Sequence, residues 1–236
     1  LDYVFLDFEH TGPSAWDGFV FEELTRAADA ADIELLVRVP SGESGDHPPL
    51  IRKVVDAGIR NVLVPRVKTA DEVRRVVEAA RFHYDGNSGK RGIGATRGNL
   101  WGGHLDDEWV ASEDSSVLCG VMIENLTAVE NLEEILEVPE LGFVCIGHQD
   151  LSISMGAPLR TESSEIQNII EEIEVACRSA DVPFGHWGPL DSQINQGAQL
   201  INLASDMIAL RSAVKQKIEA YNERRTHREN PQIGGE

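Results

Sequence analysis

Two acidic residues follow apolar segments that read as buried strands, and their placement predicts a metal site. The apolar run 117–123 ends in Glu124, and the run 143–146 leads through Gly147 to Asp150. If these runs are neighbouring parallel strands, both carboxylates lie at the carboxyl edge of the sheet, where α/β proteins build their sites. A pair of carboxylates is a hard oxygen donor set of the kind that Mg²⁺ and Mn²⁺ prefer.

A second group of reactive side chains follows two earlier apolar runs. The run 3–7 leads into Asp7-Phe8-Glu9-His10, and the run 34–39 carries Arg38 near its carboxyl end. Enolate chemistry needs a divalent metal to polarise a 2-oxo acid, a guanidinium to neutralise the enolate oxygen and an imidazole to move a proton. The sequence therefore predicts that His10 and Arg38 act beside the two carboxylates.

The elements that would position these residues alternate between strand and helix. Strands are predicted at 3–7, 34–39, 61–65, 117–123, 142–146, 182–186 and 199–203. Helices are predicted at 16–31, 50–57, 70–82, 128–136, 164–180, 190–196 and 209–225. Such alternation predicts a parallel sheet with right-handed crossovers. We expect an α/β fold, a (β/α)8 TIM barrel whose first strand and helix are missing upstream of Leu1, because seven strands are one short of closure.

One domain is expected to span residues 1–225. The chain has 236 residues, which fits one barrel, and no Pro/Gly/Ser-rich linker divides it. The glycine-rich segment 83–107 reads as a long irregular loop, and such loops are usually functional. Residues 226–236 are expected to form a disordered tail.

The charge of the chain limits its partners. Asp and Glu number 40 against 21 Lys and Arg, which gives a formal net charge of −19. Binding to nucleic acid requires a basic face, so nucleic acid is excluded as a partner. The acids are spread over predicted helix faces, and a surface of this kind is tolerated where salt screens its repulsion, which predicts a halophilic source organism. An ordinary acidic enzyme is the alternative.

The remaining composition predicts a cytoplasmic protein without membrane partners. No apolar run reaches transmembrane length and no signal peptide is visible. The three cysteines, Cys119, Cys145 and Cys177, include no CxxC pair, and two of them lie inside apolar strands. We therefore expect neither a disulfide nor a zinc site.

Several short motifs, taken in chain order, resemble those of the HpcH/HpaI aldolase family of metal-dependent, class II pyruvate aldolases. FLDFEH at 5–10 resembles its D-x-E-H motif, VRVP at 37–40 its strand-three Arg motif, and VVDAG at 54–58 its L-D-x-G motif. IEN at 123–125 resembles the metal-Glu strand, and IGHQDLS at 146–152 resembles the G-P-x-D-L-S motif. The resemblance covers nearly the whole chain.

The resemblance implies a role for each matching residue. Glu124 and Asp150 would be the ligands of a divalent metal, Mg²⁺, Mn²⁺ or Co²⁺. Arg38 would hold the keto or enolate oxygen of pyruvate. The substrate carboxylate would bind at a helix start formed by Gly147, His148, Gln149 and Asp150.

His10 would be the acid/base, and either Asp7 or Asp56 would orient it. The implied reaction is the reversible cleavage of a 4-hydroxy-2-oxo acid, of the 2-keto-3-deoxy sugar acid or dioic acid type, to pyruvate and an aldehyde. The resemblance also implies a homo-oligomer, built from dimers up to a hexamer, in which the helix 209–225 is exchanged.

The chain departs from the family pattern beside the predicted ligand Asp150. His148 and Gln149 stand where the family usually has Pro and a small or polar residue, and this puts the shape of the carboxylate pocket in question. Two alternative functions remain: a citrate-lyase-like or malyl-CoA-lyase-like enzyme, and a catalytically silent barrel that binds a metabolite. Structural roles are also open, with Asp150 as a helix cap and Arg38 as an ion-pair partner of Asp7 or Glu9.

Overall fold

The structure is a computed structural model that describes residues 1–12, 14–40, 48–84 and 86–229. The backbone forms two compact units, Leu1–Ile201 and Asn202–Glu236. The first contains a parallel sheet with its covering helices, and the second contains one long helix. None of the described helices is both long enough and apolar enough to cross a membrane.

The strands of the first unit form a seven-stranded parallel sheet and a separate hairpin. They are β1 (Tyr3–Asp7), β2 (Glu34–Arg38), β3 (Asn61–Val64), β4 (His83–Tyr84), β5 (Asn87–Ser88), β6 (Leu118–Ile123), β7 (Leu141–Ile146), β8 (Phe184–His186) and β9 (Leu200–Ile201). The sheet has the order β1-β2-β3-β6-β7-β8-β9, and β4 and β5 form the antiparallel hairpin. Strands β6 and β7 are therefore neighbours, as the sequence predicts, and their carboxyl ends meet at one edge.

The helices lie between the strands in chain order. They are α1 (Gly18–Ala31), α2 (Pro48–Asp56), α3 (Ala70–Ala80), α4 (Asp107–Ser116), α5 (Leu126–Glu130), α6 (Leu132–Leu136), α7 (His148–Ser154), α8 (Ser164–Ser179), α9 (Leu190–Asn195) and α10 (Asp206–Glu229). A 3₁₀ segment, Arg97–Gly102, lies within the glycine-rich stretch. Most strands are thus followed by a helix, which is the pattern that favours right-handed parallel crossovers.

The strands bury side chains on both faces of the sheet, and the sheet is curled. Alternate residues pack into a small cluster on one face, formed by Leu36, Leu63, Met122, Phe143 and Cys145. The intervening residues pack against the helices in the main core. The hydroxyl of Tyr3 on β1 donates to the carbonyl of Ile201 on β9 at 3.2 Å, so the two outer strands approach each other. The predicted mixed α/β fold with a parallel sheet is confirmed, whereas the predicted eighth strand stays a prediction.

Three element predictions need correction. Helix α4 lies in a stretch where no helix was predicted, because Trp109 and Val110 do not recur at helical spacing. The helix predicted at 128–136 is two short helices, with Asn131 between them. The terminal helix continues to Glu229, beyond the predicted end at 225, and the rest of the predicted tail lies outside the described residues.

Asp114 fixes the start of the β4–β5 hairpin. Its carboxylate accepts hydrogen bonds from Phe82 N at 3.1 and 3.2 Å and from Asn87 Nδ2 at 3.0 Å. Burial raises the pKa of this carboxyl to about 6, against the opposing hydrogen bond from Phe82 and the charges of Arg81 and Arg91. Asp114 is therefore a group whose ionisation is less favourable in the fold than in the unfolded chain.

We expect Asp114→Asn to remove a pH-dependent part of the free energy of unfolding. The unfolded carboxyl titrates near 3.8 and the folded one at about 6, so the folded protein binds more protons in between. The stability that this carboxyl contributes therefore falls as the pH rises through that window, by about 3 kcal/mol in all and by about 2 kcal/mol between pH 4.5 and 7.5. Urea unfolding of both proteins at pH 4.5 and 7.5 measures the change. If the free energies of unfolding of wild type and Asp114→Asn differ by the same amount at both pH values, the raised pKa of Asp114 is contradicted.

Candidate active site

Glu124 lies at the carboxyl edge of the sheet, directly after β6, and only 3% of it is exposed. Its Oε1 accepts a hydrogen bond from the backbone N–H of Arg66 at 2.6 Å. Arg66 has the left-handed conformation, with φ of 61°, which non-glycine residues adopt at some cost in free energy. The chain thus uses a strained main-chain position after β3 to aim an amide at the buried carboxylate.

Gly147 lets β7 end directly against Glu124. Its N–H donates to Ile123 O at 3.0 Å. A Cβ at this position would lie 2.6 Å from Glu124 Cβ and 2.8 Å from Glu124 Oε2. Real Cβ atoms are not found that close to other heavy atoms, so a side chain at position 147 would displace the carboxylate.

We expect Gly147→Ala to reduce kcat/KM by about 10²-fold, because a displacement near 1 Å at a reacting centre has an effect of that size. The measurement is the steady-state kinetics of the reaction that the family resemblance implies, cleavage of a 4-hydroxy-2-oxo acid, with the folded variant. Gly156→Ala is the matched control, since a Cβ there meets no atom within 4 Å, although its positive φ of 69° lowers stability. Equal activity in wild type and Gly147→Ala would show that the close packing on Glu124 is dispensable.

Asp150 lies in the first turn of α7, is exposed, and is near enough to Glu124 for its charge to act on that carboxylate. Burial raises the pKa of Glu124 to about 7, and the charges of Asp150 and Glu9 add to that shift. The amide of Arg66 and the charge of Arg38 act in the opposite direction. The charges of Asp150 and Glu9 therefore both act on the Glu124 carboxylate, and this end of the sheet has more acidic groups than basic ones.

Arg38 is the cation of this site. Its Nε and Nη2 donate to the two carboxylate oxygens of Asp7 at 2.9 and 2.6 Å, and its Nη1 lies 3.3 Å from Glu9 Oε2. Burial lowers the pKa of Arg38, but its hydrogen bond to Asp7 and the charges of Asp7, Glu9 and Glu124 outweigh it and raise the pKa overall. Pairing with Asp7 or Glu9 was an open alternative in the sequence, and the structure has Arg38 in contact with both.

Asp7 holds Arg38 rather than the ring of His10. Burial raises the pKa of Asp7, but the hydrogen bonds and charge of Arg38, together with the amides of Glu9 and His10, hold it below its ordinary value. The contact with His10 is through the backbone, at 3.4 Å from N to Oδ1. The His10 ring lies 3.6 Å from Glu9 Oε2, and its side chain is 61% exposed, so it is open to a substrate at this edge.

Asp56 lies near the amino ends of the strands, away from the carboxyl ends that lead to Glu124 and Arg38. It ends α2, and its carboxylate pairs with Arg91 at 2.9 Å. Arg91 also pairs with Glu113 at 2.9 Å, and Glu113 contacts Arg60, which directly precedes β3. These contacts place Asp56 near the amino ends of the strands. Within one chain the structure therefore does not bring Asp56 to His10, in contrast to the role predicted for it.

The residues between Gly147 and Asp150 differ in their exposure. Gln149 is exposed, whereas the ring of His148 stacks on the ring of His186, with centroids 5.1 Å apart and an interplanar angle of 21°. Burial lowers the pKa of His148 to about 4, and the neighbouring His186 adds to the shift. The ring of His148 is therefore neutral at ordinary pH and packs against a second ring, which the sequence alone did not indicate.

Two contributors to the site were not among the predicted site residues. Glu9 touches both Arg38 and His10, and its signal was its place within the D-x-E-H motif. The amide of Arg66 has no sequence signal, because a backbone donor does not depend on the side chain. Asn125, directly after Glu124, caps α5 by accepting from Ala128 N at 2.9 Å.

The donor set at the carboxyl edge fits a divalent cation. Glu124 and Asp150 supply hard oxygen atoms, and a positive ion would offset both the burial and the repulsion by Asp150 that raise the pKa of Glu124. Among the described residues, no three or more His, Cys, Asp or Glu side chains are grouped around one point as a complete metal centre. Mg²⁺ is commonly held by one or two carboxylates, with water and substrate completing its shell, so two protein ligands suffice.

A curled parallel sheet with acids and a guanidinium at its carboxyl edge places this chain among the TIM-barrel-like α/β enzymes. The family model described as HpcH/HpaI aldolase/citrate lyase matches residues 1–220. The chain belongs to this family and is a carbon–carbon lyase. Enzymes of the family generally depend on a divalent metal.

Individual relatives agree with this assignment. The chain is 30% identical to a 2-keto-3-deoxy-L-rhamnonate aldolase of Escherichia coli O157:H7, over 99% of this chain and 84% of that protein. The structure of an HpcH/HpaI aldolase from Desulfitobacterium hafniense is similar with a TM-score of 0.81 and 25% identity, covering 94% of this chain and 84% of that one. The citrate synthase SbnG is similar with a TM-score of 0.78, 25% identity and the same coverage.

Proposed function

We propose that this protein is a divalent-metal-dependent class II aldolase that reversibly cleaves a 4-hydroxy-2-oxo acid to pyruvate and an aldehyde. The observation that carries the proposal is Arg38, which lies between Asp7 and Glu9 and beside the Glu124 carboxylate at the sheet edge. A 2-keto-3-deoxy sugar acid is the substrate class we favour, because the E. coli relative is named for such a compound. The metal would be Mg²⁺, Mn²⁺ or Co²⁺.

In this proposal, each site residue has a role that follows from its charge. Glu124 and Asp150 would hold the cation, which when bound supplies Lewis acidity toward the 2-oxo group. Arg38 donates hydrogen bonds to the keto oxygen and stabilises the negative charge that develops on it. The main chain at Gly147, His148 and Gln149, with Asp150, lines the end where the substrate carboxylate would bind.

His10 is the proton carrier in this proposal. In the cleavage direction the C4 hydroxyl loses its proton, the C3–C4 bond breaks and the aldehyde leaves. The electron pair of that bond goes to C3 and is shared with the C2 oxygen as an enolate. Protonation of C3 then gives pyruvate. Glu9, 3.6 Å from the His10 ring, stabilises the protonated imidazole between these transfers.

The test is an assay in both directions with the full chain. Pyruvate and glycolaldehyde are incubated with Mn²⁺ or Mg²⁺ in high salt, and a 4-hydroxy-2-oxo acid is assayed for pyruvate release. We expect product in both directions and loss of both activities with EDTA. If neither an aldol product nor EDTA-sensitive pyruvate release is found, the proposal is wrong.

The similarity to the citrate synthase SbnG favours one alternative, a citrate-lyase-like or malyl-CoA-lyase-like enzyme. Such an enzyme would share the carboxylate pair but would act on a citrate-type acid or a CoA thioester. The chain has few basic residues with which to bind a nucleotide, at a net charge of −19. CoA-dependent activity, or cleavage of citrate in preference to 4-hydroxy-2-oxo acids, would favour this alternative.

Two further properties belong to the same proposal. A homo-oligomer assembled through α10 is supported by the exposed apolar residues of that helix, which are Met207, Ile208, Leu210, Val214, Ile218 and Tyr221. A cytoplasmic location and a single barrel domain over residues 1–225 are expected from the sequence. Light scattering of the intact protein in high and low salt measures the oligomeric state.

A further inference from the structure

A buried group of titratable side chains lies outside the machinery proposed above. His186 ends β8, and two positions earlier on the same strand Phe184 packs into the core that the helices cover. His186 therefore faces α8, where its Nε2 lies 3.6 Å from Glu174 Oε1. His186 and Glu174 are each only 1% exposed.

The ring of His186 is held on its edge and on its face. Nδ1 lies 3.3 Å from the carbonyl oxygen of Trp187, and Nε2 faces Glu174. One face of the ring stacks on His148, with centroids 5.1 Å apart. His148 in α7 thus packs against a ring at the end of β8, and that ring contacts Trp187, directly after β8, and Glu174 on α8.

Three of the buried polar atoms without a hydrogen-bond partner in the described residues belong to this group. They are His148 Nε2, His186 Nε2 and Glu174 Oε1, although the side chain of Gln196 also approaches the His186 ring and acts to raise its pKa. Buried polar atoms of this kind lower stability. The polar edge of the His186 ring therefore does not by itself explain an imidazole here, and the stack on His148 points to a use for the ring.

The use of the His186 ring follows from the position of His148 in the chain, between Gly147 and Asp150. His148 directly follows Gly147, which packs on Glu124, and it precedes Asp150 by two residues in the same first turn of α7. A shift of the His148 ring moves this turn, and with it the separation of Asp150 from Glu124. Such a shift also changes the main chain that would face the substrate carboxylate.

We propose that His186 is a positioning residue, which by stacking on His148 fixes the turn 147–150 and so sets the spacing of Glu124 and Asp150. The proposal rests on the function proposed above for the metal ligation by these two carboxylates. It also accounts for His148 in place of the usual family residue, since the histidine supplies the ring for the stack.

Two substitutions distinguish the contribution of the stacked ring of His186 from the contribution of its nitrogen atoms. His186→Phe keeps an aromatic ring and removes both nitrogen atoms, whereas His186→Gln keeps polar atoms and removes the ring. Phe184→Leu is the matched control, because Phe184 is buried on the same strand and the same face. Binding of Mn²⁺ to each folded protein is measured by calorimetry, and KM and kcat are measured separately.

We expect His186→Gln to weaken Mn²⁺ binding about 10–100-fold, the usual effect of losing a residue that orients a ligand. His186→Phe should restore most of the affinity, and Phe184→Leu should bind as wild type does. Equal Mn²⁺ affinity in His186→Gln and wild type would overturn the proposal. So would an equal loss in Phe184→Leu, because it would indicate general damage to β8.

Hydrogen exchange at the amides of residues 147–151 tests the positioning without metal or substrate. Faster exchange there in His186→Gln, but not in His186→Phe, is the expected result, and unchanged exchange would overturn the proposal. If wild type binds no Mn²⁺ and cleaves no 4-hydroxy-2-oxo acid, the proposed function fails, and this exchange measurement still decides whether His186 orders the turn.

Discussion

Glu124→Gln is expected to reduce kcat/KM by about 10³-fold or more while leaving the fold intact. A bound cation contributes several kcal/mol to transition-state stabilisation, and each 1.36 kcal/mol corresponds to a factor of ten in rate. The glutamine has nearly the same shape, and its oxygen still accepts the Arg66 N–H, so packing is preserved. The loss is measured by steady-state kinetics at saturating Mn²⁺, together with Mn²⁺ affinity by calorimetry.

Thermal unfolding shows whether the loss of activity in Glu124→Gln comes from the missing carboxylate or from a less stable fold. Burial and neighbouring charges raise the pKa of Glu124 to about 7, so its ionised form at pH 8 is less favourable in the fold than in the unfolded chain. Removing the charge should therefore leave the melting temperature at pH 8 unchanged or higher. Glu134→Gln, at an exposed position on α6, is the control and should leave both quantities unchanged. Full activity in Glu124→Gln would rule out this carboxylate as a metal ligand.

Arg38→Lys is expected to reduce kcat/KM by about 10²–10³-fold, mainly through kcat. Removing a donor to a developing oxyanion has an effect of this size. Lysine keeps the charge, but its single ammonium cannot replace the planar fork that holds both oxygens of Asp7 while reaching Glu9. Kinetics with a 4-hydroxy-2-oxo acid, with kcat and KM determined separately, tests this expectation.

The matched control for this substitution is Arg74→Lys. Arg74 pairs with Asp71 on the exposed surface of α3, where an ion pair contributes little. We expect its kinetics and melting temperature to match those of wild type. If Arg38→Lys lowers the melting temperature but leaves kcat unchanged, Arg38 is only a structural partner of Asp7 and Glu9.

The parts of the fold with local signals could be predicted from the sequence. Strands β6 and β7 are apolar runs that end in Glu124 and Gly147, and they pair as the predicted barrel order requires. Helix α4 has a local start signal, but its apolar residues do not recur at helical spacing, and its place in the fold depends on contacts with residues distant in sequence. It begins with an Asp106 cap on Trp109 N, and it is held in place by the contacts that Asp114 makes with Phe82.

In the site, too, some features could be predicted from local sequence, whereas others depend on contacts between residues distant in sequence. Residue type and position at a strand end indicated Glu124, Arg38 and His10, because chemistry concentrates at that edge in such folds. The orientation of a side chain depends on neighbours that are distant in sequence, and the sequence could not supply it. The stacking of His148 on His186 and the pairing of Asp56 with Arg91 are both contacts of this kind.

The hydrogen bond from Arg66 to Glu124 has a consequence for how the site tolerates mutation. Its donor is a peptide N–H, so nearly any residue at position 66 supplies it, and only proline removes it. Because the backbone there has a φ of 61°, glycine or asparagine would adopt the conformation with less strain than arginine does. The contact to the buried acid therefore depends on the backbone conformation at position 66 and not on the arginine side chain, and Arg66→Gly is expected to preserve it.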